Sequence, residues 1–85
     1  MEDSTYDRDS NAMYVYFQRG KKYRGTKRLD WSRFVDYADD DTIIGVELLN
    51  VHRGVSLEGL PEPERIARAL AEHRVEIREA QPQGN

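Results

Sequence analysis

Between Phe34 and Asn50 the chain reads F-V-D-Y-A-D-D-D-T-I-I-G-V-E-L-L-N. Two runs rich in β-branched and aromatic residues flank an acidic turn, Asp39-Asp40-Asp41-Thr42. So short a connection permits antiparallel pairing only, because a parallel pair needs a crossover of about a dozen residues or more. The second run, Ile43 to Asn50, is the most apolar of the protein. As a strand it would place Ile44, Val46 and Leu48 on one face and Ile43, Gly45, Glu47 and Leu49 on the other. On the first run, Val35 and Tyr37 are expected to face the core, with Asp36 outward.

The rest of the chain can be arranged around this pair. Ser4 to Asp7 suggests a short strand, and Arg8-Asp9-Ser10-Asn11 is a turn cluster whose side chains bond their own backbone. Ala12 to Gln18 reads as a strand with Met13, Val15 and Phe17 on one face and Ala12, Tyr14, Tyr16 and Gln18 on the other. Both faces are semi-apolar, so this strand is expected to be covered on two sides, by a helix or by a second subunit. Arg19-Gly20-Lys21-Lys22 reads as a turn, Tyr23 to Leu29 as a strand and Asp30 to Arg33 as a connection. Val51 to Gly59 is a loop. Leu60-Pro61-Glu62-Pro63 opens a helix, since proline is tolerated in the first turn. The helix is expected over about 63–73, with Ile66, Ala69, Leu70 and His73 forming an apolar stripe that needs a sheet to lie on. Arg74 to Arg78 alternates like a final edge strand, and residues 80–85 read as a disordered tail. The expected fold class is α+β: an antiparallel β-meander of four to five strands with one C-terminal α-helix packed on one face, a single small domain over residues 1–79.

Composition bears on assembly. With 85 residues, 34% of them charged and 38% hydrophobic, the core is thin. A chain of this size buries only about 60% of its unfolded surface. Small domains offset that deficit by oligomerising, so a homodimer is the expected state. There is no cysteine, which excludes disulfides and cysteine-based zinc sites. The polar, acidic start from Met1 to Asp9 is unlike a secretory signal, and no apolar run approaches the length of a membrane span. A cytoplasmic protein without membrane association is expected. The net charge of −3 is unevenly spread. Residues 19–28 hold Arg19, Lys21, Lys22, Arg24, Lys27 and Arg28 and no acid, whereas residues 36–47 hold Asp36, Asp39, Asp40, Asp41 and Glu47 and no base.

The order of these segments resembles a known family. Tyr6-Asp7, a short turn and Asn11-Ala12-Met13-Tyr14-Val15 open the chain. Val35-Asp36-Tyr37, an Asp-rich turn and Ile43-Ile44-Gly45-Val46-Glu47-Leu48 follow, and Gly59-Leu60-Pro61 with a short helix closes it. This pattern is similar to the small prokaryotic domains of domain-of-unknown-function family 2283, over residues 5–50 most clearly. Where that family's turn typically carries an Asp-Gly pair, this chain has Asp41-Thr42. The resemblance implies a compact β-meander with a C-terminal helix and no established activity. It also implies an antitoxin-like role, through relatives that accompany small toxin-like proteins.

No catalytic or metal-binding constellation emerges, and no cofactor is expected. Asp39, Asp40 and Asp41 are adjacent, whereas a calcium loop needs acids at alternate positions, a central glycine and a distal bidentate glutamate. His52 and His73 stand outside any two-histidine motif, and Ser10, Ser32 and Ser56 lack a nucleophile elbow. Glu47, inside an apolar strand, is expected to face solvent or to pair across the sheet with Arg28 or Arg33. Two surfaces stand out instead. Tyr14, Tyr16 and Trp31 are candidate interaction anchors, since aromatics dominate binding hot spots. The segment Arg19, Lys21, Lys22, Tyr23, Arg24, Lys27 and Arg28 is a candidate basic hairpin for nucleic acid or an acidic partner. The first functional expectation is therefore a non-enzymatic protein-interaction module, acting as a homo-oligomer or with a small protein partner. The second is a nucleic-acid-binding accessory protein using the 19–28 hairpin.

Overall fold

The computed structural model describes residues 3–79. Five strands form one sheet: β1 (Ser4–Asp7), β2 (Ala12–Tyr16), β3 (Tyr23–Asp30), β4 (Arg33–Ala38) and β5 (Ile43–Leu48). A 3-10 turn, Val51–Arg53, and one helix, α1 (Pro63–Glu72), follow. Every neighbouring pair of strands is antiparallel. The α+β class and the C-terminal helix are as the sequence implies. The tail expected over 80–85 lies outside the described residues.

The strand order is β1-β2-β5-β4-β3. It departs from a simple meander at one connection, between β2 and β3. These strands are not neighbours, so residues 19–28 do not form a hairpin. Residues 17–22 cross the end of the sheet past β5 and β4, and β3 then pairs only with β4. Burial accounts for this. β2 and β5 both alternate apolar residues on one face, and their pairing sets Val15 against Val46 and Met13 against Leu48. β3 carries Arg24, Lys27 and Arg28, all exposed, which belong at an edge, where charge also guards against strand addition.

The core lies between the sheet and α1. Met13, Val15, Val35, Val46 and Leu48 from the sheet meet Ile66, Ala69 and Leu70 from the helix, all at most 2% exposed. Val51, Val55 and Leu60 from the connecting loop seal one side. Phe17 and Tyr37 pack against this cluster as expected, but so does Ile43 in place of Ile44. A register shift between Asp36 and Tyr37, which steps their β5 partners from Gly45 to Ile43, explains the exchange. One extra residue in a strand swaps its faces beyond that point. The segment after the helix is not a sheet edge. Val55 and Ile77 make a single parallel bridge outside the sheet, with Val55 N donating to Glu76 O and Arg78 N to Val55 O. Among the described residues no helix is long and apolar enough to cross a membrane.

The β4–β5 turn stays tight without glycine. Asp41 adopts the left-handed region at φ 69°, which Asp tolerates better than most residues. Ala38 N donates to Thr42 O at 2.8 Å and Asp41 N to Ala38 O at 2.9 Å. The Asp41-Thr42 pair thus does the work of Asp-Gly.

Candidate functional site

The helix covers one face of the sheet, and the other holds the residues that alternate with the core. In one row across it stand Thr5, Tyr14, Glu47, Phe34 and Arg28; in the next stand Tyr16, Gly45, Asp36 and Thr26. Tyr14, Tyr16, Phe34 and Asp36 are half-buried, while Glu47, Arg28, Thr26 and Thr5 are exposed.

Gly45 shapes this face. A Cβ there would come within 2.4 Å of Tyr14 Cε1 and 2.5 Å of Val15 O. The Tyr14 ring lies across the gap, in tilted contact with Tyr16 at 4.6 Å between centroids. From there Tyr14 Oη donates to Asp36 Oδ2 at 2.6 Å. Thr26 Oγ1 donates to Asp36 Oδ1 at 2.6 Å. Tyr23 Oη lies 2.7 Å from Thr26 Oγ1 and, with the Thr26 proton committed to Asp36, is the donor. A hydrogen-bonded line therefore runs from β2 to the edge at β3, passing over β5. Burial of the Tyr14 phenol, and then the neighbouring Asp36 carboxylate, push its pKa well above the ordinary tyrosine value. Tyr14 is accordingly a fixed donor, not a group poised for proton transfer. Arg19 stacks over the Tyr16 ring at 3.7 Å and forks onto Asp3 at 2.6 and 2.9 Å.

Of the expected anchors, Tyr14 and Tyr16 are brought together, whereas Trp31 sits apart at the β3–β4 turn, 55% exposed. Phe34, Asp36 and Gly45 are members of this face that residue-type searching overlooks. The alternation of β4 carries the signal: if Val35 and Tyr37 point inward, Phe34 points outward.

The basic segment is largely spoken for. The acidic turn, adjacent to it because β3 pairs with β4, supplies its counter-ions. Lys21 meets Asp40 at 2.5 Å, Lys22 lies 3.9 Å from Asp39, and Arg24 pairs with Asp41. The Lys21 ammonium, then the Thr42 hydroxyl and amide, hold the Asp40 carboxyl well below the usual carboxylate range. Among the described residues only Lys27 and Arg28 of this set have no acidic partner. Arg28 Nε instead donates to Asp30 O at 3.1 Å.

Other candidates have local roles. Arg33 does not pair with Glu47. Its guanidinium bonds Asp30 and the carbonyls of Ser56 and Glu58, pinning the loop after β5. His73 Nε2 shares a 3.0 Å hydrogen bond with Ser4 Oγ, and His52 is exposed. Among the described residues, no group of three or more His, Cys, Asp or Glu side chains converges as a metal site. A groove of about 450 Å³ at the N-terminal end of α1 has an apolar floor of Phe17, Tyr37 and Ile43. Its cation, Arg65, is occupied by Glu62 and by the carbonyls of Tyr16 and Phe17.

No curated protein and no solved structure matches this chain. A family model described as a protein of unknown function, DUF2283, matches residues 4–52. That stretch contains all five strands and therefore the whole open face, and it is more than half of the chain. The chain belongs to the DUF2283 family.

Proposed function

We propose that this protein is a non-enzymatic interaction module that works through the open face of its sheet, as a homo-oligomer or with a small protein partner in an antitoxin-like manner. The observation that carries the reading is the row Tyr14–Glu47–Phe34–Arg28, aromatic and charged, standing uncovered opposite the helix-packed core. Aromatic and arginine side chains supply most of the energy at interfaces. Here Tyr14 is already immobilised by Asp36 and by the gap at Gly45. Ordering costs met within the folded monomer are not charged again on binding. The nucleic-acid reading has less support, because Arg19, Lys21, Lys22 and Arg24 face acids of their own chain.

The test is association measured by light scattering, and by co-purification with the product of a neighbouring gene, for the wild type and for Phe34→Ser and Tyr16→Ser. Association that is present in the wild type and lost in both variants, with circular dichroism unchanged, supports the reading. Association that both substitutions leave intact would remove the open face from consideration.

A further inference from the structure

We infer that the free edge of β3 is a docking site for an extended acidic segment of another protein, which adds to the sheet as a sixth strand and sets two adjacent carboxylates against Lys27 and Arg28. The edge borders the open face at Arg28, but strand addition stands or falls apart from the reading above.

The edge is exposed along its length. β3 ends the sheet and pairs only with β4. In an antiparallel ladder alternate residues turn their N–H and C=O away from the partner, so an edge strand presents a row of unpaired donors and acceptors. Tyr23, Arg24, Thr26, Lys27 and Arg28 are all exposed, and a Cβ at Gly25 would meet no atom within 4 Å. The ladder is regular from Gly25 to Arg28, between register shifts at Tyr23/Gly25 and Arg28/Asp30. The opposite edge, β1, has four residues against the eight of β3. Its acids are engaged, Asp3 by Arg19 and Asp7 by the Asp9 amide.

Charge selects the occupant. Arg19, Lys21, Lys22 and Arg24 meet acids of their own chain. Lys27 and Arg28 do not, and they are consecutive residues of the regular stretch. Arg28 spends Nε on Asp30 O and keeps its terminal nitrogens for a carboxylate. Consecutive strand residues point to opposite faces. Lys27 therefore shares the helix side with its partner Val35, and Arg28 the open side with its partner Phe34. An added strand alternates in the same way, so two adjacent acids in it reach one cation each. A phosphate backbone running along one face would meet only one of the two. The same charges bar β3 of a second copy, so the edge selects by repulsion as well as by attraction. Tyr23 and Trp31, 58% and 55% exposed, stand at its two ends as aromatic anchors.

The probe is a labelled peptide matching the eight residues of β3 in length, alternating valine and threonine, with adjacent aspartate and glutamate near its middle. Control peptides carry two serines, or lysine and arginine, at those positions. Binding is read by fluorescence anisotropy, with the emission of Trp31, the single tryptophan, as a second signal. The acidic peptide should bind, the serine peptide more weakly and the basic peptide least. Lys27→Glu and Arg28→Glu each turn an attraction into a repulsion and should weaken binding by about tenfold at low salt. The double variant should prefer the basic peptide. If a reversal fails to fold by circular dichroism, Lys27→Gln and Arg28→Gln read the same contact, with a loss of about threefold. Tyr16→Ser, on the open face, should leave the affinity unchanged. Strand pairing uses the amides on one side of the peptide only, so N-methylation of every second residue should abolish binding in one frame and spare it in the other.

Equal affinity for the acidic and serine peptides, indifference to both Lys27 and Arg28 variants, or equal effects of the two methylation frames would overturn the proposal. Binding lost in Tyr16→Ser would move the site from the edge to the open face. A thymidine octanucleotide bound more tightly than the acidic peptide would assign the edge to nucleic acid instead.

Discussion

Gly45 and Tyr14 are closely apposed on the open face, and the ring leaves no room for a side chain at position 45. A methyl group at Gly45 would sit inside the van der Waals radius of both the Tyr14 ring and the Val15 carbonyl, and the carbonyl cannot swing aside as a side chain can. Gly45→Ala should therefore destabilise the fold by about 1–3 kcal/mol, the usual cost of overpacking, measured by urea denaturation. A cost near zero would mean that the sheet opens easily at this point. Tyr14→Phe keeps the ring and removes the donor to Asp36. The raised phenol pKa makes its effect depend on pH. Below about 10, the unfolded-state value, Tyr14 is protonated in both states and its contribution is complete. Above that, the unfolded chain loses the proton while the folded chain keeps it, so stability falls as the pH rises. Urea midpoints at about pH 9 and 11 should drop less in Tyr14→Phe than in the wild type. An equal drop would show that Tyr14 ionises freely in the fold.

The connection from β2 to β3 is the element on which the chain departs from a simple meander. Sequence spacing favours pairing successive strands, and β1 with β2, β3 with β4 and β4 with β5 obey it. β2 and β3 do not, because β3 is too charged for the middle of the sheet. The crossover that results is held by contacts with the β4–β5 turn. Lys21 pairs with Asp40, Lys22 lies near Asp39, and Asp39 N donates to Lys22 O at 2.9 Å. Asp40→Ala should speed amide exchange over residues 19–22 while leaving the global unfolding midpoint almost unchanged, since exposed ion pairs contribute little to overall stability. Because the Asp40 pKa is depressed, this contact should persist at neutral pH and weaken only as the pH falls below the ordinary carboxylate value of about 4. Exchange that is already fast in the wild type would mean the pairing does not restrain the crossover.

As a whole molecule the protein has one covered sheet face and one open face. Its core draws on a chain in which 38% of residues are hydrophobic and 34% charged. If a second copy covers the open face, folding and association are linked. The thermal midpoint should then rise by about 3–6 °C for each tenfold increase in concentration, an estimate for a small domain whose dimer is favoured by mass action. A wild-type midpoint independent of concentration would argue against linked dimerisation.

Much of the secondary structure could be read from the chain. The five strands and the helix follow from alternation, turn chemistry and prolines, which are local properties of neighbouring residues. Strand order, the bulge that exchanges Ile43 for Ile44 and the bridge of Ile77 to Val55 are not local. They depend on which apolar faces can be buried together once all five strands compete for places. The same division holds for the functional surface. Tyr14 and Tyr16 were legible as aromatics on one face of a strand. That Phe34 joins their face, that Gly45 makes room for the Tyr14 ring, and that the acids at 39–41 engage the basic segment all follow from pairing between strands distant in the chain. The stretch from Phe34 to Asn50 supplies two neighbouring central strands on its own authority. Its outward residues acquire a role only when β2 and β3 close in on either side, because a flat surface exists only after the strands that compose it have been placed.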